Sequence, residues 1–199
     1  MSSPVPDTRN RILKAALELL ENGPRQQTRM SDIAKRAGVS RQAVYLHFAN
    51  RADLLVAATC YLDEITEVDA RLAQSRSAKT GPERLDAFIE AWGAHIPQIY
   101  GVAQALLAMR GTDEAADLAW DNRMQAVRHG CAAAVAALER DHLLGADHTS
   151  KQATDILWTL LSVRNWEHLT RDCGWSQADY IKKIKLLARR VLLAAPPND

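Results

Sequence analysis

The sequence predicts an all-α protein, and three observations carry that expectation. Apolar residues recur at three and four along most of the 199 residues, the period of helices with one buried side. The apolar–polar alternation of a half-buried strand is absent. Between Thr28 and Phe48, a short periodic run, a glycine and a second short run follow closely, as in two helices joined by a tight turn.

In chain order, Ile12, Ala16 and Leu19 line one side of a first helix that Asn22-Gly23 closes. Ile33, Ala34 and Ala37 line a second. Gly38 follows, where a left-handed residue ends a helix without a Cβ clash. Val39 is an apolar plug and Ser40 an N-cap for a third helix. There Val44 and Phe48, four apart, point inward, while Arg41, Gln42 and Tyr45 share a neighbouring face. Helix, glycine turn, helix is the DNA-binding helix-turn-helix arrangement.

Beyond it, Ala52 to about Arg76 reads as one long helix, with Leu55, Ala58, Leu62, Ile65 and Val68 as its stripe. Ser75 to Lys79 reads as a polar linker, and Thr80-Gly81-Pro82-Glu83 as a capping-box start for a helix to about His95. Pro97 and Gly101 interrupt the pattern before a short helix to Met109. After a break at Gly111-Thr112-Asp113, a long helix covers about Glu114 to His142, and its alanine-rich run from Cys131 to Leu138 lets a neighbour approach closely. Residues Leu144 to Ser150 read as a loop. Two last helices, about Lys151 to Arg171 and Gln177 to Leu193, are separated by Cys173-Gly174-Trp175-Ser176, and Pro196-Pro197 ends the structure.

Charge is asymmetric. The net charge is only +1, but residues 1 to 55 carry a balance of +4 and the rest −3, a basic head on an acidic body. Cys60, Cys131 and Cys173 have neither a disulfide-framework nor a zinc spacing. No run approaches 18 apolar residues and no leader pattern precedes the fold, so a cytoplasmic protein without a membrane anchor is expected. Nucleophile-elbow, H-E-x-x-H, phosphate-loop and dinucleotide motifs are missing, which argues against an enzyme. His142 and His148, near Asp141 and Asp147, read as a solvated loop rather than a metal site, and no cofactor is expected.

The N-terminal quarter, about residues 8 to 56, resembles the tetracycline-repressor-like (TetR) family of bacterial transcription regulators. The resemblance rests on Ile33-Ala34, Ala37-Gly38-Val39-Ser40, Val44-Tyr45, His47-Phe48 and Asp53-Leu54. A looser likeness, Gly174-Trp175-Ser176 with Tyr180 and a final amphipathic helix, is similar to the C-terminal region of many members. Gln42-Ala43, Asn50-Arg51-Ala52 and Arg29 depart from the common pattern. The first alters the reading face itself, so no operator sequence transfers from a relative.

The resemblance implies a helix-turn-helix domain over 1–55 and a helical effector-binding and dimerisation domain over 56–199. Arg41 is suited to a bidentate contact with guanine and Gln42 to one with adenine, each discriminating by about 1–3 kcal/mol. Tyr45 is suited to a thymine methyl or a phosphate, with Ser40 and Ala43 on the same interface. Thr28, Arg29, His47 and Arg51 are placed for phosphates. The expected partners are double-stranded palindromic DNA, a second copy of the chain and a small-molecule effector. Twofold symmetry would set two recognition helices about 34–36 Å apart, or a multiple of that. Leu157, Leu161, Tyr180, Ile184, Leu187 and Val191 are the expected dimer surface. The tryptophans Trp92, Trp120, Trp158 and Trp166, with His95, Tyr100, Arg123 and Met124, supply the mixed apolar and polar side chains an effector pocket needs. A ligand-released repressor is the leading expectation. An activator or effector-independent regulator, and more remotely an all-helical enzyme, are the rivals.

Overall fold

The computed structural model describes residues 8–22 and 28–194. They form α1 (Thr8–Asn22), α2 (Met30–Ala37), α3 (Arg41–His47), α4 (Arg51–Ile65), α5 (Val68–Ser77), α6 (Gly81–Met109), α7 (Glu114–Arg140), α8 (Ser150–Leu160), α9 (Val163–Glu167) and α10 (Gln177–Leu192). A π-helical turn, His168–Asp172, follows α9. Among the described residues the only β feature is an isolated bridge between Leu144 and Leu193. The all-α expectation holds. Gly23 and Pro196-Pro197, read as chain punctuation, lie outside the described residues.

The chain divides into two compact units: Met1–Ile65 with Ile99–Met124, and Thr66–Gln98 with Gln125–Asp199. α4 crosses the expected 55/56 boundary unbroken, and α6 and α7 each supply residues to both units.

In the first unit α1 packs on α2 and α4, and α2 on α3. Its core holds Ile12, Leu13, Ala16 and Leu20 from α1, Ile33 and Ala37 from α2, Val44 from α3, and Leu54, Leu55 and Ala58 from α4. Asn50 starts α4 by accepting from the Asp53 amide at 2.8 Å while its own amide donates to the Asp53 carboxylate at 2.9 Å.

The helices depart from expectation in three places, each with a physical cause. The helix expected from Ala52 to Arg76 breaks after Ile65, because Glu67 takes a left-handed conformation (φ 53°, ψ 36°). Ser75 is therefore not linker: it is buried in α5, and its hydroxyl donates to the Arg84 carbonyl at 3.1 Å.

α6 continues through Pro97 and Gly101. Proline has no N–H to donate to the carbonyl four residues back, which is Gly93. Gln177 takes its place, donating through Nε2 to the Gly93 carbonyl at 2.7 Å. Glycine at 93 also admits α10, since a Cβ there would stand 2.9 Å from Ile181. The Thr80–Glu83 capping box forms as expected, and Asp141 accepts from the Gly81 amide at 2.5 Å.

The helix expected from Lys151 to Arg171 is broken at Leu161. The Leu161 carbonyl accepts from the buried Trp92 indole at 2.8 Å, while Ser162 Oγ accepts from the Asn165 amide at 3.2 Å. The donor and acceptor that would continue the helix are both diverted, and α9 starts afresh.

Removing the Gln177 amide isolates the effect of Pro97. Gln177→Ala leaves both the Gly93 carbonyl and the Trp166 indole N–H, 2.8 Å from Gln177 Oε1, without their partner. A loss of about 2 kcal/mol in urea unfolding is expected. In a Pro97→Ala background, where residue 97 regains an N–H, the same substitution should cost measurably less.

Candidate nucleic-acid interface

α3 has seven residues, too few to persist alone in water. It is held from both ends and from beneath. Gly38 sits at φ 65°, and the Val39 amide reaches the Ala34 carbonyl at 3.0 Å, the Schellman closure of α2. Arg11 Nη2 adds a cation there, donating to the Ala37 carbonyl at 2.7 Å and the Gly38 carbonyl at 3.2 Å. Ser40 Oγ accepts from the Ala43 amide at 3.1 Å and so starts α3. Val44 and Phe48 are buried as the spacing predicts, and the Arg9 guanidinium lies 5.4 Å from the Phe48 ring centre.

With that side anchored, Arg41, Gln42 and Tyr45 stand outward. Arg41 Nη2 is 3.3 Å from the Tyr45 hydroxyl, and its guanidinium carbon lies 5.5 Å from that ring's centre. The pair restricts two long side chains before any ligand arrives. Ala43 is half-buried and His47 exposed. Arg29 is exposed at the start of α2, its amide donating to Asp32 at 3.3 Å, whereas Thr28 is buried. Leu46, which the sequence reading passed over, is 80% exposed.

Arg51 behaves differently from expectation. Its side chain turns inward, 19% exposed, with Nη1 2.6 Å from Asp113 Oδ1. Its Nε donates to the Thr28 carbonyl. Asp113, 5% exposed, also accepts from the Ala115 and Ala116 amides at 3.1 and 3.3 Å and so caps α7. One guanidinium thus ties the entry of α2 and the start of α4 to the start of α7. Burial alone would raise the Asp113 pKa. The Arg51 hydrogen bond and charge, with the two amides, outweigh burial and hold it below the ordinary aspartate value.

The expected dimer residues separate into two groups. Leu157, Leu161, Tyr180 and Ile184 are buried within their own unit, so they are core and not surface. On α10 the inward stripe is Tyr180, Ile181, Ile184, Ala188 and Leu192, and Leu187 and Val191 lie at its margin, 41% and 40% exposed. Burial raises the Tyr180 phenol pKa.

The eight expected pocket residues also separate. Tyr100, Trp120, Arg123 and Met124 belong to the first unit, and Trp92, His95, Trp158 and Trp166 to the second. Trp92 and His95 are buried, with ring centres 5.6 Å apart. Both Trp92 and Trp166 spend their indole N–H on protein acceptors. Arg123 pairs with Asp63 at 2.6 Å, and Tyr100 accepts from Gln104 at 3.3 Å. Burial pushes the Cys131 thiol up to about 12, which makes it unreactive. Among the described residues no three His, Cys, Asp or Glu gather as metal ligands, and no helix is long and apolar enough to cross a membrane.

Three helices with a glycine-turned pair and an outward-facing third helix define a helix-turn-helix protein. Residues 12–58 match the family model described as bacterial regulatory proteins, tetR family. The HTH-type transcriptional regulator TtgR of Pseudomonas putida is 38% identical over 73 residues, 37% of this chain and 33% of that protein. The match therefore spans about a third of that relative's length. The fold extends further. The transcriptional regulator FadR from Bacillus subtilis, solved in complex with stearoyl-CoA, superposes with a TM-score of 0.72 at 16% identity, over 92% of this chain and 98% of that one. NalD of Pseudomonas aeruginosa, the secondary repressor of the MexAB-OprM multidrug efflux pump, gives 0.66 at 26% identity, over 94% and 96%.

Breaking the Arg51–Asp113 pair should unfold the protein more readily. Because its folded pKa is depressed, Asp113 contributes stability that is present above the ordinary aspartate pKa and lost as pH falls through the lowered value. Arg51→Ala is expected to cost about 3 kcal/mol at neutral pH by leaving a buried carboxylate uncompensated. Asp113→Asn should flatten the acid limb of the stability–pH curve, measured by denaturant titration between about pH 3 and 7.

Proposed function

We propose that the chain is a sequence-specific DNA-binding transcription regulator, a homodimeric repressor that a small-molecule effector releases from its operator. One observation carries this reading: a recognition helix anchored by Val44 and Phe48, presenting Arg41, Gln42 and Tyr45 to solvent. The basic balance of the first 55 residues and the likeness of residues 12–58 to bacterial regulators support it. Arg41 and Gln42, at the amino end of α3, would meet base edges in the major groove, Arg41 on guanine and Gln42 on adenine. Ser40, Tyr45 and His47 would flank them, and Arg29 with the amino end of α2 would hold phosphate. Arg51 serves this interface by holding the entry of α2 in place rather than by touching DNA.

Dimerisation would use the margin of α10 that the protomer leaves open, Leu187 and Val191. Release by a small molecule is supported by the kinship with regulators and by the tryptophan-rich second unit. Coupling of only about 1–3 kcal/mol, five- to 150-fold in affinity, suffices if the effector binds the two states unequally. A cytoplasmic location follows from a partner that is the cell's own DNA. An activator or effector-independent regulator would use the same contacts and differ only in whether added compounds free the DNA.

Selection of bound fragments from a random duplex pool tests the reading. It should return an inverted repeat, and binding to that repeat should weaken with salt at a log–log slope near −9 if about ten phosphates are neutralised. Arg41→Ala should relax preference at one base pair of each half-site. Binding indifferent to both sequence and salt would remove the proposal. On the α10 margin, Leu187→Glu with Val191→Glu should shift the protein to monomer in sedimentation and cut operator affinity at least tenfold, with thermal stability little changed.

A further inference from the structure

Leu46 occupies the outermost line of α3. At 100° per residue it lies about 160° from both Val44 and Phe48, the two side chains that fix the helix to its unit. It is the most exposed large apolar side chain among the described residues. Tyr45 beside it is tethered to Arg41, and Gln42 precedes it by one turn. A polar residue would serve any solvent-facing role at this point at least as well. Leucine neither donates nor accepts a hydrogen bond, so it is blind to all but one of the groups that base pairs display in the major groove. The exception is the thymine 5-methyl.

We infer that Leu46 is a specificity-determining residue that selects thymine by packing its branched end on the 5-methyl group. This rests on the DNA-binding reading above and extends it to the base that the arginine and glutamine do not read. The division of labour is chemical: Arg41 and Gln42 discriminate by hydrogen bonds, Leu46 by apolar contact. The basic balance of the surrounding domain points to duplex DNA rather than an apolar protein partner for this leucine.

The inference is tested by changing a single methyl group. Operator duplexes from the random-pool selection are made with deoxyuridine replacing thymine at one position at a time, which removes the methyl and leaves base pairing intact. Wild-type protein should lose about fourfold in affinity at one particular thymine, the weight of one buried methyl-sized group. Leu46→Ala should bind the unmodified operator more weakly, with an unchanged salt slope, and be indifferent to uridine at that same position. Circular dichroism should show its helix content intact, as expected for an exposed side chain. A wild type insensitive to uridine everywhere, or a Leu46→Ala variant that keeps the full penalty at every thymine, would overturn the inference while leaving DNA binding standing. A wild type with no sequence-preferring binding at all would overturn both.

Discussion

Everything distinctive about the N-terminal unit depends on the insertion of Val44 and Phe48 into the core beneath α3. Seven residues make fewer than two helical turns, and their backbone hydrogen bonds cannot offset the cost of ordering them. The two buried side chains supply what the helix lacks, and by taking one side they determine what the other presents. Arg41, Gln42, Tyr45 and Leu46 face outward because the helix has no freedom to turn. Capping by Ser40 and the left-handed turn at Gly38 then set where the helix begins.

Arginines reinforce this arrangement from within. Arg11 satisfies the last carbonyls of α2, and Arg51 joins Thr28, two residues before α2, to the cap of α7. Both are cations in a basic domain, yet both are spent on the protein's own backbone and carboxylates. The domain's net charge therefore overstates what it offers a polyanion. Arg29 and Arg41 remain exposed, with Arg41 already held against Tyr45, which limits the entropy lost on binding.

In the second unit, side chains take over backbone roles. Gln177 supplies the donor that Pro97 lacks, so a residue that should end a helix is carried inside one. Trp92 does the reverse, drawing off the Leu161 carbonyl and ending a helix whose sequence reads as continuous. In both cases the partner lies roughly seventy to eighty residues away along the chain, beyond the reach of any local rule.

The helix-turn-helix was legible because each of its signals is local: apolar spacing of three and four, a glycine at the turn, a serine at the cap. The sequence by itself determined the all-α class, the end of α2 at Gly38, the start of α3 after Ser40, and the outward set Arg41, Gln42 and Tyr45. Only the tertiary structure decided that Arg51 faces inward, that Tyr180 and Ile184 are core while Leu187 and Val191 are margin, and that Leu46 is the outermost point of its helix. A helical stripe tells which side is apolar. Which part of that side another element covers depends on where distant helices pack, and an arginine shows its charge in the sequence but not the carboxylate that claims it.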